Sequence, residues 1–423
     1  MLIEKIADGG WLTNDEIRET VIKTISGRAV KKCLLLPPDY SRFHSNAGLI
    51  TNIYYNYLTE NGTQVDIMPA LGTHAPMNVS EIKSMYGDIP AERFLVHDWR
   101  NDVLKLGEVP GDYIASITDG LWNEPVAVEI NKLVCDPSYD LIISVGQVVP
   151  HEVVGMSNYT KNLFVGVGGS DMINKSHMIG AVYGLEKMMG KCDTPVRAIY
   201  DYGLEHYLED IPILFVMTVC TAPEGEIHTH GIFAGDTRKA FEDACVLALQ
   251  KNTFLLDRPI RKCVVHLDEI EFKSTWIGNK SIYRTRMAIA DGGELIVLAP
   301  GVERFGEDPE MDELIRKYGY MGRLNILEAF NKADNKDLRE NMGGAAHLIH
   351  GSSDGRFSIT YAVKKISEEE VKAVGFKAAS CDEMAKVYDS AKLKPGFQMV
   401  NGEEIYYIHN PALGLWFEKS RIQ

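Results

Sequence analysis

The stretch "DLIISVGQVVPHEVVGMSNYTK", residues 140–161, runs from an apolar segment closed by Gly146 into a polar loop that ends on a lysine. A short apolar run bounded by glycine reads as a strand buried on both faces, and such strands belong to parallel sheets covered by helices. The same form recurs outward in both directions: "VKKCLLLPP" (30–38), "QVDIMPALG" (64–72), "LFVGVGG" (163–169) and "ILFVMTV" (213–219), with amphipathic segments between them. This alternation predicts an α/β protein. "DTRKAFEDACVLALQK" (236–251) predicts a helix opened by Asp236 as its N-cap. "NTFLLDRPI" (252–260) reads as a crossing into a second series: "KCVVHL" (262–267), a helical "NKSIYRTRMAIADGG" (279–293) and "ELIVLAPG" (294–301). Two α/β domains with largely parallel sheets are therefore expected, 1–256 and 257–423. Their cleft is the expected ligand site, and the closing stretch of the chain is expected to return to the first domain.

Composition narrows the partners. The chain has 423 residues, 45% hydrophobic and 24% charged, enough for large cores. A formal net charge of −15 argues against a nucleic-acid or anionic-membrane surface and leaves a small molecule as the expected partner. Seven scattered cysteines without a CxxC pair suggest neither a disulfide framework nor a thiolate zinc site. "MLIEKIADGGWLTNDEI" carries acids where a signal peptide has an apolar run, and "IPILFVMTVC" is too short to span a bilayer. The expected compartment is the cytoplasm.

Ligands of open α/β sheets collect beyond the carboxyl ends of the strands. Those loops are polar here. "PPDYSRFHS" (37–45) offers Asp39, Arg42 and His44, "GTHAPM" (72–77) offers His74, and residues 146–161 offer His151 and Lys161. "GVGGSDMINKSH" (166–177) adds Asp171, Lys175 and His177. Singly, each has a plainer reading. A strand-end histidine is usually structural, Arg42 has Asp39 three residues before it, and "GVGG" lacks the full GxGxxG pattern, so a tight turn precedes cofactor binding as its explanation. "HTH" (228–230) reads as an exposed strand face, and His97, His347 and His350 as structural.

Taken together, Asp39, Arg42, His74, His151, Lys161 and His177, in this order on successive loops, resemble the lactate racemase family, whose enzymes use a nickel pincer nucleotide. "DYSR" (39–42) is similar to the family's Asp-x-x-Arg, "GTH" (72–74) to its Gly-x-His, and the Pro-His at 150–151 precedes a lysine ten residues on, as in the family. The resemblance implies a covalent link from the Lys161 amine to the cofactor, with Asp39 and Thr160 beside it and His177 as the nickel ligand. Nickel(II) in a planar field set by a carbon and two sulfurs leaves one position that an imidazole suits. It further implies His74 and His151 as an acid/base pair on the two faces of a 2-hydroxy acid, from which a hydride leaves for the cofactor and returns. Arg42 would hold the substrate carboxylate. Lys280, in "WIGNKSIYR" (276–284), would supply a second cation from the second domain. The activity implied is racemisation or epimerisation, with the enzymes that make the cofactor as functional partners.

This chain departs from the pattern in three places. The family's Ser-Gly-Gly-Arg-Lys reads "SNYTK" (157–161), its Gly-x-His-Arg ends on Ala75, and its glutamine near the second lysine is Ile277. With two cations absent, malate or a sugar acid is as well suited as lactate. Two other readings stay open on these residues: a zinc-dependent hydrolase or lyase built on His74, His151 and His177, and a non-catalytic metabolite-binding member of the family.

Overall fold

The computed structural model describes residues 2–412 and 414–421. It is a mixed α/β protein with parallel-rich sheets flanked by helices. The chain divides into two compact units, one of residues up to Ile179 with Met188–Asn252, the other of Gly180–Lys187 with the residues from Thr253 onward. The division falls at 252/253, where the sequence suggested 256/257.

The first unit is built on a six-stranded sheet in the order Ile3–Ile6, His228–Gly235, Ile213–Thr221, Leu141–Gln147, Lys32–Leu36, Gln64–Ile67. The last four strands are parallel, and the first two run antiparallel at one edge. Leu141–Gln147 is buried at every residue, because neighbours pair with both its edges and side chains cover both its faces. The helices Asn14–Ile25 and Ala47–Glu60 add Ile17, Val21, Ile50, Ile53 and Tyr54 to a core with Cys33, Leu35, Ile143 and Val216. Each fully buried aliphatic side chain of this kind contributes about 1.5–3 kcal/mol. The first of these helices starts where Thr13 and Glu16 cap each other's backbone amides. Arg238–Asn252, the helix expected over 236–251, packs on Ile213–Thr221 and His228–Gly235.

The second unit repeats the plan with Lys377–Ser380, Ser358–Val363, Ile289–Ala299, Ile260–His266, Glu403–Ile408 and Gly396–Val400. Only the last pair is antiparallel. Leu415–Glu418, near the end of the chain, pairs in parallel with Thr253–Leu256 and is grouped with this unit.

Three sequence expectations change. "LFVGVGG" is not a strand: Asn162–Gly166 is a π-helical turn, and the place beside Leu141–Gln147 belongs to Ile213–Thr221. Its glycines fit that turn, since a Cβ on Gly166 would lie 2.6 Å from the Ala70 Cβ and one on Gly168 1.9 Å from the Phe164 carbonyl oxygen. The helix expected over 279–293 is a single turn, Lys280–Tyr283, after which the chain enters the strand Ile289–Ala299. "HTH" is not an exposed face: His230 is buried and held by Thr221 and the Gly10 carbonyl.

Candidate functional site

Three adjacent parallel strands deliver the candidate groups of the first unit from their carboxyl ends. Lys32–Leu36 leads into a 3-10 turn, Tyr40–Ser45, that begins beside Asp39 and carries Arg42. Gln64–Ile67 leads to His74. Leu141–Gln147 leads to a small hairpin, Pro150–His151 with Gly155–Met156, and on to Lys161. The next residue, Asn162, fixes this end of the loop by donating Nδ2 to the Leu36 carbonyl (3.0 Å) and Ser144 Oγ (2.8 Å). His177 enters from the helix Ser170–Tyr183.

These groups feel one another's charge. Burial draws the Lys161 amine down to about 8, and the Arg42 guanidinium beside it acts in the same direction against Glu152 and Asp39. Burial likewise draws His177 down to about 4, with Lys161 adding to the effect. His151 lies well below the ordinary histidine range, chiefly through burial, with Lys161, Arg42 and His177 all opposing its protonation and Glu152 favouring it. All three are partly or wholly withdrawn from solvent, and near neutral pH both imidazoles are uncharged.

Hydrogen bonds then fix which ring nitrogen is available. His177 Nδ1 donates to the Ile173 carbonyl one turn back on its own helix (2.6 Å), which leaves Nε2 with a lone pair. Among the described residues that Nε2 has no hydrogen-bond partner. His151 is the reverse case: Nδ1 accepts from the Val153 backbone amide (3.1 Å), so the ring proton sits on Nε2. His74 Nδ1 meets Asp39 Oδ2 at 2.6 Å, and its side chain is 58% exposed. Burial raises the Asp39 carboxyl, but His74, Ser41 and Arg42 outweigh it and hold the group below its ordinary value.

Arg42 forms no ion pair with Asp39, against the plainer reading of their spacing: the Asp39 oxygens face Ser41 and His74. Neither the Arg42 guanidinium nor the Lys161 amine has a hydrogen-bond or ion-pair partner among the described residues. Thr160 does not join this constellation. It is fully buried, and its hydroxyl donates to Asp201 (2.7 Å) and accepts from Arg197 (2.6 Å). Asp39, expected to contact the cofactor, is engaged in orienting His74. Lys280 opens the turn Lys280–Tyr283 in the second unit.

The plainer histidine readings hold for two others. His97 is buried between the Gly168 carbonyl and Asn131, and His347 stacks on Trp276 at 4.0 Å with Nε2 on Tyr320. Asp171 and Lys175 pair with each other, and Asp171 also accepts from the Ala127 amide. Sequence reasoning passed over Glu152 and Arg197. Glu152, the neighbour of His151, lies 3.8 Å from its Nδ1. Arg197 and Asp201 stand four residues apart on the buried face of Pro195–Tyr207, a charged pair among Val196, Ile199 and Tyr200 that marks a buried polar network.

Residues 17–188 match the family model described as the lactate racemase N-terminal domain. A crystal structure of a protein from Thermotoga maritima is 25% identical and covers 97% of this chain and 99% of its own, with a TM-score of 0.84. The lactate racemase apoprotein from Thermoanaerobacterium thermosaccharolyticum shares the fold at 18% identity and a TM-score of 0.71, over 97% of this chain and 94% of that one. No curated protein matches the chain. Among the described residues, no helix is long and apolar enough to cross a membrane.

Proposed function

For a chain whose residues 17–188 match the family model described as the lactate racemase N-terminal domain, we propose a racemase or epimerase of a 2-hydroxy acid that works with a nickel pincer nucleotide held on Lys161. The observation that carries this reading is the pairing of Lys161, an amine shifted toward its neutral, nucleophilic form, with His177, an imidazole kept neutral and locked with its Nε2 lone pair available. Among the described residues no three His, Cys, Asp or Glu side chains converge to bind a metal ion by themselves. A metal here therefore needs ligands brought by another molecule, which suits a pincer group and disfavours a zinc site made of His74, His151 and His177.

When bound, the cofactor supplies reversible hydride acceptance for the carbon that bears the substrate hydroxyl. The chain supplies the rest. Arg42 holds the substrate carboxylate, its donors having no hydrogen-bond or ion-pair partner among the described residues. His74 takes the hydroxyl proton at Nε2, and Asp39 stabilises the resulting imidazolium. His151 presents a proton at Nε2, and its buried ring favours the neutral state. Lys280 is proposed as a second substrate cation on the family resemblance alone. Malate or a sugar acid suits the chain as well as lactate, because Ala75 and Ile277 stand where the family carries an arginine and a glutamine. The cytoplasm is the proposed compartment.

The test is intact mass, nickel content and peptide mapping of protein produced alongside the enzymes that make the cofactor. An adduct on Lys161 with nickel bound is expected, and Lys161→Ala should carry neither. An unmodified Lys161, with a lactate racemase loaded in parallel as control, overturns the reading. Turnover in heavy water offers a second check, since the substrate carbon keeps its hydrogen if hydride is transferred and gains deuterium if an enolate forms.

A further inference from the structure

The loop leading into Lys161 is strained. Asn158 (φ 65°) and Tyr159 (φ 56°) are consecutive residues in the left-handed region, where a Cβ crowds the backbone and glycine is the usual occupant. Asn158 eases its own position by accepting the Tyr159 amide on Oδ1 (2.7 Å), but its buried Nδ2 has no hydrogen-bond partner among the described residues. Two such residues in a row persist only where the surroundings hold them.

The holding group is Arg197, fully buried on the helix Pro195–Tyr207. One terminal nitrogen donates to the Asn158 carbonyl (3.1 Å) and Thr160 Oγ1 (2.6 Å), and the other to the Met156 carbonyl (2.7 Å). Its guanidinium lies 4.3 Å from the centre of the Phe241 ring, on which Tyr159 is stacked at 5.2 Å. Thr160 passes the contact on to Asp201, whose other oxygen pairs with Arg238. Arg197 therefore grips the backbone before and within the left-handed pair and the Thr160 hydroxyl after it, and the next residue is Lys161.

We propose that Arg197 is the positioning residue for Lys161: it clamps a turn made without glycine and thereby sets where the lysine amine emerges. This rests on the reading of Lys161 as the reactive anchor, but its test does not require the cofactor. In the apoprotein, reductive methylation with formaldehyde and cyanoborohydride is followed by peptide mass spectrometry across pH, with the exposed Lys23 as internal reference. Arg197→Lys keeps the charge and loses the forked grip. Its Lys161 should methylate about tenfold more slowly near neutral pH, with the profile moved toward that of an ordinary lysine, while Lys23 is unchanged. Asn158→Gly in the same chain, which removes the need to hold one left-handed side chain, should restore most of the rate. An unaltered Lys161 profile in Arg197→Lys, or a loss that Asn158→Gly does not relieve, overturns the proposal. If Arg197→Lys does not fold, Thr160→Val removes one arm of the grip. It should shift the profile in the same direction by a smaller factor, and no shift there also overturns the proposal. A chain that never takes the cofactor yet shows the expected methylation pattern would refute the anchor reading alone.

Discussion

Two pairs of withdrawn cations, Arg286 with Arg356 in the second unit and Arg42 with Lys161 in the first, are treated in opposite ways. In the second unit Arg286, 3% exposed, directs Nε to Glu186, one terminal nitrogen to the Ser352 carbonyl and the other to Asp354, each at 3.1 Å. Arg356 beside it reaches Glu186 and Asp291 as well as two carbonyls. In the first unit Arg42 and Lys161 stand close enough to depress the lysine, and neither has a hydrogen-bond or ion-pair partner among the described residues. A cation whose three nitrogens all find acceptors holds structure together. Two adjacent cations without such partners among the described residues repel each other, an arrangement that favours a bound anion or a neutral amine.

The contrast can be broken by substitution. Arg286→Met should destabilise the protein by about 3 kcal/mol, the low end for a broken buried pair, because Glu186 is half-exposed and recovers water. Urea unfolding measures it, and a change within experimental error would show that the network is ornamental. Lys161→Met should do the opposite in the apoprotein, stabilising it by about 1–2 kcal/mol at neutral pH. The sign follows from an amine at about 8 in the folded chain against an ordinary 10.5. Below the lower value both folded and unfolded chains hold the proton, and the folded one bears the cost of confining the charge. Between the two values the unfolded chain binds more protons, so native stability rises with pH and the advantage of the variant shrinks to nothing above the higher. Unfolding measured across that interval checks both size and slope, and a pH-independent gain would break the assignment. The smallest effect is expected from Asn158→Gly, a gain of about 0.5–1 kcal/mol from relief of the left-handed backbone, offset in part by loss of the Asn158 to Tyr159 hydrogen bond. A thermal melt sharpens it, since destabilisation would mean that the side chain is worth more than the strain it brings.

Much of this was legible in the sequence, for identifiable reasons. Leu141–Gln147 and its neighbours were found because a strand buried on both faces writes itself as an unbroken apolar run. Asp39, Arg42, His74, His151, Lys161 and His177 stand out as candidates because strand-end loops are where polar residues have no packing excuse. "LFVGVGG" was misread because apolar content reports burial, not backbone geometry, and a wide helical turn can be as dry as a strand. The Asp201 partner of Thr160 was not legible because adjacency to Lys161 along the chain says nothing about which side of the backbone a hydroxyl occupies. The target of Arg197 was invisible to any local pattern, since it meets the loop from a helix some forty residues downstream, a distance only folding closes.

That last contact bears on how relatives of this chain would be recognised. A search pattern written around Gly-Gly-Arg before the lysine would reject "SNYTK", although the backbone here makes a left-handed turn of the kind glycines make freely and a guanidinium does sit against it. The signature is dispersed: part lies in the loop and part in Pro195–Tyr207, so a pattern that reads the loop together with an arginine in that helix would gather divergent members that a contiguous motif leaves out.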